Sequence, residues 1–166
     1  MIKFEKRTVL EYVTYSVIIA VGVLLDQLTK LLAVKMLQPV DVVPIIEGVI
    51  HLNYETNTGM AFSLLSDQRW IFMSVSVVMI AALSVYLYGG LCQNRLYAVA
   101  MAMVISGGIG NMIDRVALGY VVDFIDFTLI DFAVFNVADS FVCVGAGLLI
   151  LALVLDIIKE AREKKS

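Results

Sequence analysis

Four stretches of this chain run so far without a charge that water is a poor solvent for them, and this limits its fold more than any other feature. Tyr12–Leu25, Trp70–Tyr88 and Leu96–Ile113 carry no charged residue, and Phe135–Leu155 carries only Asp139. About 20 apolar residues in a helix cross a hydrocarbon layer ~30 Å thick. The first run is short for that, so its helix is expected to continue through Asp26 and Lys30. Composition points the same way: 61% of the 166 residues are hydrophobic and 16% charged. So small a domain cannot hide that much apolar surface from water. The expected architecture is a membrane all-α fold in one integral domain. Its four transmembrane helices are predicted at about 9–35, 70–88, 96–113 and 135–156.

Basic residues orient these spans. Lys3, Lys6 and Arg7 precede the first, Arg95 separates the second from the third, and Lys159, Arg162, Lys164 and Lys165 follow the fourth. In a four-span chain those regions share a side, and the positive-inside rule makes it the cytoplasm, with both termini there. The N-terminal charges and apolar run imitate a signal peptide, but no small-x-small cleavage site follows, so a retained anchor is expected. Long loops at about 36–69 and 114–134 then lie outside. The first loop holds both prolines, Pro39 and Pro44, and Gly48–Tyr54 alternates weakly. Short strands turned at Thr56-Asn57-Thr58-Gly59 are predicted there, as a small sheet on the membrane surface.

Carboxylates gather at that outer level. Asp26 ends the first span, Asp114 the third, and Asp139 begins the fourth. An acid at membrane depth is costly, so each should face the bundle interior and have a partner. Asp41, Glu47, Asp67 and Asp131 read as ordinary interfacial charges. Asp139 does not, because Phe135, Val137, Ala138 and Phe141 flank it. The half-apolar segment Tyr120–Phe127 carries Asp123 and Asp126, and either can be brought beside Asp139. Two carboxylates in contact cannot both stay ionised; one keeps a proton while the other acts as a base. Such a pair activates water against an amide carbonyl and then protonates the leaving nitrogen, with no metal and no cofactor. A lone His51, and Cys92 and Cys143 far apart, offer neither a Ser-His-Asp triad nor metal-ligand spacing.

Supporting groups lie close by. Asn111 and Arg115 share a helix face with Asp114 within the same turn, and Asn136 stands three residues before Asp139. Asp26 and Lys30 are spaced for a helical ion pair. Gly107, Gly108 and Gly110 either let helices approach closely or leave room for a substrate helix. Two other classes fit the same physics. A small proton-coupled transporter would also place ionisable groups near the bilayer midplane, where the last three spans are uncharged. A non-catalytic membrane chaperone would tolerate Asn at both 123 and 139. An intramembrane protease of the presenilin kind needs Gly-x-Gly-Asp, and Gly110 is followed by Asn111.

Five blocks, in order and spread over nearly the whole chain, carry a resemblance. They are Asp26-Gln27-Leu28-Thr29-Lys30, Asn57-Thr58-Gly59-Met60-Ala61-Phe62, Gly108-Ile109-Gly110-Asn111-Met112-Ile113-Asp114-Arg115, Val121-Val122-Asp123-Phe124-Ile125 and Phe135-Asn136-Val137-Ala138-Asp139. Together they resemble bacterial lipoprotein signal peptidase (signal peptidase II). The resemblance implies an aspartyl endopeptidase of the bacterial cytoplasmic membrane with its active site at the outer face. Its substrate would be a diacylated prolipoprotein, cut on the amino side of the lipobox cysteine. It also implies a small extracytoplasmic β-cradle-like subdomain after helix 1, a periplasmic-side loop between helices 3 and 4, contact with membrane lipids and none with nucleic acid, and a monomer. Carried over, the catalytic pair is Asp123 and Asp139. Asn57, Gly59, Gly108, Asn111, Asp114, Arg115, Asn136 and Ala138 would support the substrate site, and Asp26 and Lys30 would hold the first span against the outer subdomain. Met60 stands where the family often has alanine, with only local packing expected to change.

Overall fold

The computed structural model describes residues 8–40, 42–59, 69–92, 94–130 and 132–164. Lys3, Lys6, Arg7, Asp41, Met60-Ala61-Phe62, Asp67, Asp131 and Lys165 lie outside the described residues. The elements run α1 (Val9–Met36), β1 (Val42–Ile46), β2 (Ile50–Asn57), α2 (Arg69–Tyr88), α3 (Arg95–Ala117), β3 (Val121–Asp126), a 3-10 turn (Thr128–Ile130) and α4 (Val137–Glu163). By length and composition α1, α3 and α4 can cross a membrane, while α2 contributes the shorter apolar helix Met73–Tyr88.

Polar starts set the helices. Thr8 and Glu11 form a capping box on α1, Asn94 caps α3, and Asn136 with Asp139 forms a capping box on α4. Large apolar side chains such as Leu31, Val78 and Ile150 point outward. The interior mixes larger side chains such as Leu87 and Ile105 with many small ones: Ala98, Ala100, Ala102 and Ala152 are wholly buried. That is how helices pack when the surroundings are as apolar as their side chains and close approach supplies the attraction. Helix α3 is the hub, touching α1, α2 and α4. A Cβ on Gly107 would strike the Ala138 carbonyl of α4, and one on Gly145 would come within 2.8 Å of the Ala100 carbonyl. At the opposite end from the site, Glu11 and Arg95 pair at 3.2 Å and Tyr12 stacks on Tyr88.

The three strands form one antiparallel sheet in the order β1-β2-β3. Here the structure corrects the expected turn. The β1–β2 hairpin turns at Glu47–Val49, where Gly48 takes φ 70°, while Thr56 and Asn57 remain in β2 and pair with Val122 and Val121. Turn-forming residue types were overridden by a strand arriving from 64–66 residues further on, which local pattern cannot show. Helix α3 also continues to Ala117 rather than ending at 113, because charge ends a span in the bilayer but not a helix. Beyond β3, the chain doubles back so that Phe135 pairs with Ile125 through backbone hydrogen bonds of 2.8 and 3.0 Å. That pairing seats the first turn of α4 against the strand that carries Asp123.

Candidate active site

Strand parity explains which acid joins Asp139. Side chains alternate along a strand, so residues three apart point to opposite faces. Val122 and Phe124 bury into the apolar cluster with Ala33 and Leu37, whereas Val121 and Asp123 face a cleft. Asp126, on the other parity, sits across from His51 in β2 and is absent from the cleft lining. Asp123 and Asp139 line that cleft together.

Amides hold both carboxylates. Asn57 Nδ2 donates to Asp123 Oδ2 at 3.0 Å, and Asn136 Nδ2 donates to Oδ1 at 2.6 Å. Asn111 Nδ2 donates to Asp139 Oδ1 at 2.7 Å, and the Asn136 backbone N–H donates to Oδ2 at 3.2 Å. Asn136, fully buried, therefore touches both acids. Its Oδ1 accepts the Asp139 backbone N–H at 2.9 Å, which turns its Nδ2 toward Asp123. Burial pushes the Asp123 carboxyl from its ordinary 3.8 up to about 7, and the nearby Asp139 charge adds to this. The Asn57 and Asn136 amides and the Lys30 ammonium pull the other way without cancelling it.

Behind the pair lies a dry ionic cluster. Lys30, Asp26 and Asp114 are each at most 3% exposed, with Lys30 Nζ 2.9 Å from Asp26 Oδ2 and 3.0 Å from Asp114 Oδ2. The Ala138 backbone N–H of α4 donates to Asp26 Oδ1 at 2.8 Å, and that of Val122 in β3 donates to Asp114 Oδ2 at 3.1 Å. Asp26 and Lys30 thus tie α1 to α3 and α4, and reach the sheet through Asp114. Asp114 and Ala138 sit in this support and do not line the cleft. Gln27, which sequence reasoning passed over, donates from Nε2 to Asp114 Oδ1 at 3.0 Å and Asp26 Oδ2 at 3.1 Å. Its place beside Asp26 was the available signal. Gly110 is required here, since a Cβ would lie 2.5 Å from Asp26 Oδ2.

Arg115 reaches from α3 to the Gly59 carbonyl at 3.4 Å, and Gly59 N–H donates to Asn57 Oδ1 at 3.0 Å. The cleft has a volume of about 450 Å³, and its apolar wall includes Phe127, Ile130, Phe132 and Phe135. Ser140 and Cys143 also line it, one and four residues beyond Asp139 on α4; the i,i+4 spacing was the sequence signal for Cys143, and Ser140 had none. A second cleft of about 570 Å³ opens between α2, α3 and α4 and reaches Asn111, Arg115 and Asp139, with Gly108 in its floor. Of the three glycines, Gly107 and Gly110 serve close packing, while Gly108 lines the second cleft and a Cβ on it would lie 3.1 Å from the Ile80 side chain of α2. Among the described residues no group of three or more His, Cys, Asp or Glu side chains is arranged to hold a metal.

The family model described as signal peptidase (SPase) II matches residues 18–155. The chain belongs to the signal peptidase II family. Its similarity to curated members is extensive. It is 49% identical over 133 residues to a lipoprotein signal peptidase of Caldanaerobacter subterraneus, covering 80% of this chain and 90% of that one. It is 42% identical over 143 residues to that of Brevibacillus brevis, covering 86% and 95%. Two solved structures described as bacterial membrane enzymes share the fold. One has a TM-score of 0.78 at 31% identity, covering 87% of this chain and 89% of that one; the other has 0.77 at 30%, covering 91% and 97%. As a family member the chain is a protease and an integral membrane protein.

Proposed function

We propose that this chain is an aspartyl endopeptidase that removes the signal peptide from diacylglyceryl-modified prolipoproteins, cutting on the amino side of the lipobox cysteine. The observation that carries this is the meeting of Asp123 and Asp139 in one apolar-walled cleft, with Asn136 touching both. The name its relatives carry, lipoprotein signal peptidase, supports the substrate class.

Asp123, raised to about 7, keeps a proton near neutrality, and Asp139 serves as the base. Water held between them gives a proton to Asp139 as its oxygen bonds the scissile carbonyl carbon. Asp123 hydrogen-bonds, and then protonates, the carbonyl oxygen. Collapse of this tetrahedral species breaks the C–N bond: Asp139 returns its proton to the leaving nitrogen, and a hydroxyl proton returns to Asp123. The pair ends as it began, with no covalent intermediate. Asn57 and Asn111 hold the carboxylates, and Arg115 faces the substrate between the two clefts.

A four-span arrangement completes the reading, with α2 as the fourth span, both termini cytoplasmic and the sheet at the outer face of the bacterial cytoplasmic membrane. The substrate is itself a lipid-bearing membrane helix, so its scissile bond arrives at the level of Asp139. The protein acts as a monomer. The test incubates purified protein with a prolipoprotein in diacylated and unmodified forms. Release of an intact signal peptide ending just before the modified cysteine is expected from the diacylated form alone. Equal cutting of both forms, or cutting elsewhere, contradicts the proposed specificity.

A further inference from the structure

Lys30 has three ammonium protons and three acceptors, and the third acceptor does not belong to the ion pairs. Two protons serve Asp26 and Asp114; the third goes to Asn111 Oδ1 at 2.9 Å. A lysine that only neutralised two buried acids could leave its third proton to any backbone carbonyl. Here it meets the side chain that, among the described residues, bridges the cluster and Asp139. An amide can turn end for end with little change in shape, and only its partners decide which end faces where. Asn111 Oδ1 is held by two donors, Lys30 Nζ and Asn136 Nδ2 at 3.0 Å, so both of its lone pairs are used. Nδ2 is thereby committed to Asp139 Oδ1 at 2.7 Å, the short end of the N–H···O range. In a dry site a donor polarised by a cation behind it bonds more strongly.

We infer that Lys30 is a positioning residue for Asp139, acting through the side-chain amide of Asn111, and not only an ion-pair partner that joins helices. Without Lys30 the Asn111 amide loses one of the two donors that define its direction. A turned amide would present its oxygen to Asp139, removing a donor from the base and setting an acceptor against it. Lys30 itself touches neither cleft; beyond the charge it presents to Asp123, its hydrogen-bonded route to Asp139 runs through Asn111. The inference rests on the peptidase reading above, in which Asp139 is the base.

The test is a double-mutant cycle on cleavage of diacylated prolipoprotein by full-length protein, using Lys30→Met, Asn111→Leu and both together. Lys30→Met is expected to lower kcat about a hundredfold, the loss that a small misplacement of a catalytic group produces, and to leave KM unchanged. Asn111→Leu should do at least as much, and the double variant should be no slower than Asn111→Leu alone. Because Lys30→Met leaves two buried acids unpaired, the cycle is repeated on an Asp26→Asn background, where removing the lysine restores the charge balance; thermal melting follows folding throughout. Multiplicative losses in kcat, or a Lys30→Met loss that merely tracks lost folded protein, overturn the inference. If wild-type protein fails to cleave in the same assay, it is the peptidase reading that falls.

Discussion

At the scale of the residue, the site places four carboxylates near two cations, and charge alone would make it unstable. Three devices manage this. Lys30 pairs with the two acids that face the bundle interior and offsets one of their charges. Amide N–H groups occupy the oxygens of the other two, and the proton that Asp123 keeps in the proposed mechanism removes one charge from that pair. A pH dependence follows. Asp123 titrates near 7, so cleavage should decline as pH rises through that value and the proton is lost; a kcat profile between pH 5 and 9 checks it. The sign for stability is the same. The folded state holds this proton more tightly than the unfolded chain, so the stabilisation is complete below the ordinary carboxylate range and is lost as pH climbs toward 7. Asn136→Ala removes a helix cap worth about 1 kcal/mol and a donor to Asp123. It should lower the melting temperature modestly and activity far more, as a melt and an assay on one preparation will show.

At the scale of the element, the site depends on where three backbones begin and end. β2 stops at Asn57, β3 presents Asp123 on one parity, and Phe135 pins the start of α4 to β3. Gly110 allows Asp26 to lie between α1 and α3. Gly110→Ala should cost about 1–3 kcal/mol by overpacking and loosen the Asp26 bond to Ala138, a loss that a thermal melt registers. These elements were unequally legible in the sequence. The long apolar runs and their caps are local signals: α1 falls where hydropathy puts it, whereas α4 begins near the expected start but runs on to Glu163, past the expected 156. The pairing of Thr56 and Asn57 with Val121 and Val122 is not local, so the segment read as a turn proved to be strand. Spacing left the choice between Asp123 and Asp126 open and only the family resemblance made it; strand parity gives its physical reason. Gln27 was passed over because its place beside Asp26 is a weak signal until α3 is brought against it.

At the scale of the whole molecule, the apolar exterior and small-residue interior invert the plan of a water-soluble protein, and the polar network sits at one end of the bundle. The proposed topology predicts a sidedness that labelling can read. With the native cysteines replaced by serine, Ile45→Cys in the exposed hairpin should react with a membrane-impermeant maleimide on intact spheroplasts. Glu163→Cys at the end of α4 should react only after lysis. The central claim concerns the pair that this end of the bundle brings together. Its most direct measurement is kcat for diacylated prolipoprotein in Asp123→Asn and Asp139→Asn, each shown by thermal melting to be folded. Removing either carboxyl as acid or base should reduce turnover by at least about 10²–10⁴-fold. Turnover near the wild-type rate in either folded variant would contradict the account.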